Sequence, residues 1–168
     1  MQSTQAMVDF VVEFEGRTAH AAGDPWNGRS ALDGLELFTH GLNMMREHIK
    51  PTSRIHYVIP SGGDVPNVVP EHATVWVWMR DWKRSEVDLL LARARKCAEG
   101  AALMAKGKST LRVQAGDYEV LVLESGAKLL QRNLLALGPI AYSPEEVEFA
   151  KALQRATDSP ASVNFATL

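Results

Sequence analysis

His20 is the residue of this chain whose surroundings best suit it for chemistry. It sits in Gly16-Arg17-Thr18-Ala19-His20-Ala21-Ala22-Gly23-Asp24-Pro25-Trp26-Asn27-Gly28-Arg29-Ser30-Ala31, between a strand-like run and a well-capped helix. Small neighbours let a second body approach the ring. An imidazole can donate a hydrogen bond, change charge near neutral pH, or ligate a metal. Loops held between regular elements commonly present such groups. Two further polar positions stand out. Asn67 lies in Gly62-Gly63-Asp64-Val65-Pro66-Asn67-Val68-Val69-Pro70, and Arg80 lies among Trp78, Asp81 and Trp82. Taken singly, His20 reads as a turn histidine, Asn67 as a turn residue and Arg80 as a surface charge.

Other chemical motifs fail on their context. Ala102 to Ser109 fits a relaxed phosphate-loop pattern. A phosphate loop follows a strand and opens a helix, so that helix-terminal N–H groups face the anion. Here the segment closes a helix, with Gly107 as its cap and Lys108 as a favourable last-turn charge. Glu145-Glu146 resembles a catalytic carboxylate pair, yet Glu146 is also the capping-box partner of Ser143. His20, His40, His48, His56 and His72 show none of the spacings of a self-contained metal site.

The elements that must position these residues follow from periodicity. Val8, Phe10, Val12 and Phe14 alternate with Asp9, Val11, Glu13 and Glu15, which predicts a strand. Ser30 and Asp33 predict a cap, and Leu35, Phe38, Leu42, Met45 and Ile49 form one helical stripe that Pro51 ends. Ile55, Tyr57 and Ile59 predict a second strand, broken at Gly62-Gly63. A third runs from about Ala73 to Trp82, with Val75, Val77 and Met79 on one face and Thr74, Trp76, Trp78 and Arg80 on the other. Ser85 and Asp88 repeat the cap signal before a stripe of Leu90, Ala94, Cys97, Ala101 and Met104. Leu111, Val113 and Ala115 predict a fourth strand. The order βαββαβ is the ferredoxin-like, split βαβ arrangement of the α+β class: a four-stranded antiparallel sheet with two helices on one face. Right-handed crossovers put strands one and three in the centre. Helical pieces follow over about 126–137 and from Ser143 to about Arg155. The expected domains are 6–120, then a helical segment over 121–157, then a frayed tail over 158–168.

Composition narrows the function classes. The 168 residues carry a formal charge of −2, which argues against nucleic-acid or anionic-membrane partners. Cys97 is the lone cysteine, so no intrachain disulfide forms and a reducing compartment is expected. Met1 to Met7 lacks the pattern of a signal peptide, and no apolar run approaches the ~20 residues of a membrane span. A cytoplasmic chain is expected.

Taken together, Phe14 to Ala21, Pro25 to Asp33, Arg54 to Tyr57, Gly62-Gly63, Pro66 to Pro70 and Arg80 resemble a known pattern. The sequence is similar to the dimerisation, or lid, domain of the dinuclear-metal amidohydrolases that include aminoacylase, carboxypeptidase G and succinyl-diaminopimelate desuccinylase. Its Pro25-to-Asp33 form is nearest the p-aminobenzoyl-glutamate hydrolase branch. The resemblance implies that His20 stabilises an oxyanion and that Asn67 and Arg80 hold a substrate carboxylate. It implies a small-molecule amide substrate. The predicted sheet puts Arg80 near the opposite end from His20 and Asn67, so a homodimer through the edge second strand and the first helix is expected, with His20 acting in trans. Two divalent metals, expected to be zinc, belong to a separate catalytic domain, and no cofactor is expected in this chain. No His-x-Asp pair or upstream Glu-Glu occurs, so the chain reads as a piece of a longer enzyme, inactive alone. A different class stays open beside this one: a non-catalytic ferredoxin-like module that binds a ligand or self-associates.

Overall fold

A computed structural model describes residues 4–158. They fall into two compact units divided between Leu121 and Val122.

The first unit is built on β1 (Ala6–Glu15), α1 (Ala31–Met45), β2 (Arg54–Ser61), β3 (His72–Asp81), α2 (Arg84–Met104) and β4 (Lys108–Asp117). The strands form one antiparallel sheet in the order β2-β3-β1-β4, with β1 and β3 central as expected. Alternation decides which face is dry. Val8, Phe10, Val12 and Phe14 of β1 are buried, as are Val75, Val77 and Met79 of β3. Against them pack Leu35, Phe38 and Leu42 of α1 and Val87, Leu90 and Ala94 of α2. Apolar burial of this kind contributes ~25 cal/mol per Å2 of surface removed from water. The opposite face carries Trp76, Trp78 and Arg80, and neither α1 nor α2 packs on it.

Several boundaries differ from the sequence reading. Ser30 does cap α1, accepting from the Asp33 N–H at 3.0 Å. The helix ends at Met45, however, and a 3-10 turn over Arg46–His48 follows. Ile49 therefore lies beyond the helix while still packing on the core. Helix α2 starts at Arg84, so Ser85 is inside its first turn; the N-cap residue Lys83 makes no side-chain cap, and Glu119 Oε2 accepts from the Arg84 N–H at 3.0 Å. Asp88 instead pairs with Arg84 at 2.8 Å, four residues away. The buried stripe of α2 continues through Ala98, Ala101 and Ala102, whereas Met104 is exposed and Cys97 half-buried. Alanines let α2 lie close to the sheet, which is why the stripe drifts from the larger side chains. Strand β2 carries one extra residue between Val58 and Ser61, where Pro60 sits on an edge that can spare its N–H.

The second unit contains α3 (Glu124–Leu137) and α4 (Pro144–Ala156). Gly138 ends α3 with φ of 78°, a conformation that glycine reaches without a Cβ clash. Ser143 and Glu146 form the expected reciprocal capping box on α4. Of the expected tail over 158–168, all but Asp158 lies outside the described residues. Among the described residues, no helix is long and apolar enough to cross a membrane.

Candidate functional site

The turn after β1 is held by backbone ties on both sides. The Gly16 N–H donates to the Glu71 carbonyl at 2.8 Å, and Arg17 and Arg29 exchange N–H···O bonds at 2.8 Å each. A Cβ at Gly16 would overlap the Arg29 carbonyl, so this crossing requires glycine. Farther along, the Ala21 N–H donates to the Asn67 carbonyl and the Val69 N–H to the Ala19 carbonyl, both at 3.0 Å. His20 and Val68 form an isolated antiparallel bridge. The loops carrying His20 and Asn67 are thus one cross-tied structure at one end of the sheet.

The His20 ring is set by its own turn. Nδ1 accepts from the Gly23 N–H at 2.9 Å and the Ala22 N–H at 3.2 Å. The His20 N–H in turn donates to Asp24 Oδ1 at 3.1 Å. An Nδ1 occupied as an acceptor leaves the ring proton of the neutral imidazole on Nε2. The side chain is exposed, and no described residue bonds Nε2. His20 is therefore a solvent-facing N–H donor of fixed tautomer.

Arg80 lies elsewhere. In the register of the central strands, His72 faces Glu15 and Arg80 faces Met7. Only residues from His72 onward are extended, and they carry Arg80 roughly 26 Å from the end that holds His20 and Asn67. The guanidinium lies over the Trp78 ring, 5.0 Å from its centroid. It lines an open cleft of about 660 Å3 with Met7, Trp78, Asp117 and Tyr118. Of the three residues singled out in the sequence, the structure brings His20 and Asn67 together and leaves Arg80 apart.

A family model described as a peptidase dimerisation domain matches residues 3–104. The chain belongs to this family. It is 37% identical over 152 residues to one of the subunits of p-aminobenzoyl-glutamate hydrolase of Escherichia coli (strain K12), covering 90% of this chain and 32% of that protein. It is 33% identical over 131 residues to the Xaa-Arg dipeptidase of Homo sapiens, covering 77% of this chain and 30% of that one. Among solved structures, an aminobenzoyl-glutamate utilization protein from Klebsiella pneumoniae matches with a TM-score of 0.65 at 27% identity, over 76% of this chain and 33% of that chain. A hydantoinase/carbamoylase family amidase from Burkholderia vietnamiensis shares the fold, with a TM-score of 0.69 at 17% identity over 81% of this chain and 33% of that one. The peptidase dimerisation domain and its flanking residues thus span about a third of the length of these relatives.

Within the dimerisation domain, Asp81 is no partner of Arg80 despite adjacency in sequence. Successive residues of a strand point to opposite faces. Asp81 is buried and accepts from Ser53 Oγ at 2.5 Å, Thr52 Oγ1 at 3.0 Å and the Trp82 N–H at 2.6 Å. Burial pushes its carboxyl pKa up, but these donors outweigh burial and hold it below the usual aspartate value. Asp81 ties the β2 entrance to the start of α2. Two residues to which the sequence assigned no role lie beside the predicted ones. Asp24 fixes the His20 backbone, and Arg54 faces Arg80 across β2 and β3. An Asp four residues after a loop histidine signals the first, whereas the second depends on strand register. Among the described residues, no three His, Cys, Asp or Glu side chains gather as a metal site.

Proposed function

We propose that this peptidase dimerisation domain serves as the lid of a metal-dependent amidohydrolase. Its substrates are N-acyl amino acids or amides of the aminobenzoyl-glutamate type, cleaved in the cytoplasm. The lid is residues 6–120, and 121–157 lead back toward a catalytic domain. The observation that carries the reading is the single cross-tied loop structure that presents His20 Nε2–H and Asn67 together, with Nδ1 already satisfied. Such a donor is preorganised for an oxyanion developing on a scissile carbonyl, a contribution often near ~3 kcal/mol per donor. Arg80 offers a planar fork for a substrate carboxylate, and Asn67 helps to orient that group. Among the described residues no side chains gather as a metal centre; by family resemblance the two divalent ions, zinc, are held by the catalytic domain, and no step here runs through them.

The separation of Arg80 from His20 makes one chain unable to aim all three groups at one substrate. Two chains related by a two-fold axis can do so. Strand β2 is an open edge, and edges pair readily with a copy of themselves. It carries exposed Val58, and α1 beside it carries exposed Met44. If β2 pairs antiparallel with its copy about its middle, Arg54 falls beside Ser61 of the partner subunit. The partner's loops bearing the partner's His20 and the partner's Asn67 then approach Arg80. In this homodimer, His20 and Asn67 serve the partner's site and Arg80 serves its own.

The test is kinetic, in the full-length enzyme that carries this domain. His20→Ala should lower kcat about 100-fold while changing KM little, since an oxyanion donor acts in the transition state. Normal turnover in that variant would leave His20 a turn residue and remove the proposal.

A further inference from the structure

Arg54 of β2 and Arg80 of β3 are directly opposed in register, on the sheet face away from α1 and α2. Opposed residues on one face hold their Cβ atoms ~5 Å apart, and like charges there destabilise the pair. Among the described residues, neither guanidinium forms an ion pair. Asp81 is turned to the other face. The carboxylate lining the Arg80 cleft, Asp117, sits beyond Met7, on the side of Arg80 away from Arg54.

Both cations are also held in place. Arg54 Nη1 donates to the carbonyls of Pro51 at 2.5 Å and Ser53 at 2.7 Å, and its remaining N–H groups are open among the described residues. Arg80 rests on the Trp78 ring. Two fixed guanidiniums side by side, neither of them ion-paired among the described residues and with the Asp9 carboxylate on the same face held by the Trp76 indole N–H, make an anion site with room for two carboxylates, because each fork takes one bidentately.

We propose that Arg54 is a specificity-determining residue that takes a second carboxylate of the substrate. The favoured class is then an N-acyl amino acid with an acidic side chain, of glutamate or aspartate type. This rests on the carboxylate-holding role proposed for Arg80. The two carboxylates of a glutamyl group are joined by a short methylene chain, which suits two forks on opposed residues. Arg54 also lies between Arg80 and the open edge, where the proposed partner subunit would complete the site.

The experiment is an NMR titration of the chain with N-acetylglutamate and with N-acetylglutamine, which have the same shape and differ by one charge. N-acetylglutamate should bind about 10-fold more tightly. Arg54→Gln should bring that ratio near one without changing the Kd for N-acetylglutamine, and Arg54→Lys should keep part of the preference, which sets charge apart from a folding defect. Arg80→Gln should weaken both ligands. A ratio near one in the unaltered chain, a preference that survives Arg54→Gln, or binding of neither ligand would overturn the proposal. The kinetic test of His20 reads the functional reading separately, so either can fail alone.

Discussion

Two backbone amides on Nδ1 decide what the His20 ring can offer, and Asp24 decides where the turn holds it. Asp81 shows the same logic turned to stability. Its lowered carboxyl pKa means that its contribution is fully present above the unfolded value of ~3.9 and is lost as pH falls through the lower folded value. Asp81→Asn should cost about 2 kcal/mol at neutral pH, because an amide cannot accept from all the donors that the carboxylate satisfies. Urea unfolding from pH 7 to pH 3 should show the two proteins converging at the acid end; a constant gap would contradict the assignment. The residue types at His20, Asn67 and Arg80 were legible in the sequence. The role of Arg54 was not, since facing Arg80 depends on the register of β2 against β3, and the connection between them spans ten residues.

Elements carry the site by crossing closely. Gly16→Ala would drive a methyl group into the Arg29 carbonyl, and neither backbone can yield without breaking the Arg17–Arg29 exchange. Thermal unfolding should report a loss of roughly 3 kcal/mol, well above an ordinary surface substitution; a loss under about 0.5 kcal/mol would show that the crossing is loose. Period-two and period-three-to-four patterns located the four strands and both α-helices of the sheet unit, though neither of its short 3-10 turns. They misplaced helix ends where backbone chemistry rather than apolar spacing decides. Ile49 stays apolar after α1 has given way to a 3-10 turn, and Ser85 looks like a cap although α2 already starts at Arg84. The open β2 edge makes its own prediction. Met44→Lys with Val58→Lys places like charges across the proposed two-fold axis and should weaken self-association about 10-fold or more by sedimentation, with the melting temperature nearly unchanged. Undiminished association would move the interface elsewhere.

For the whole molecule, the length of the sheet is what leads to the proposed two-chain site. Strands β1 and β3 are long enough to hold His20 and Arg80 at opposite ends, so in the proposed site a shared substrate takes its donor from one chain and its cation from the other. The most direct measurement mixes two inactive full-length variants, His20→Ala and Arg80→Ala, under conditions where subunit exchange is verified by mass. In a mixed dimer one site holds both defects and the other holds none. Activity should therefore return, approaching about a quarter of the unaltered level when equal amounts are mixed and pair at random. No recovery despite proven exchange would show that both residues serve the same chain's site, and would contradict the account.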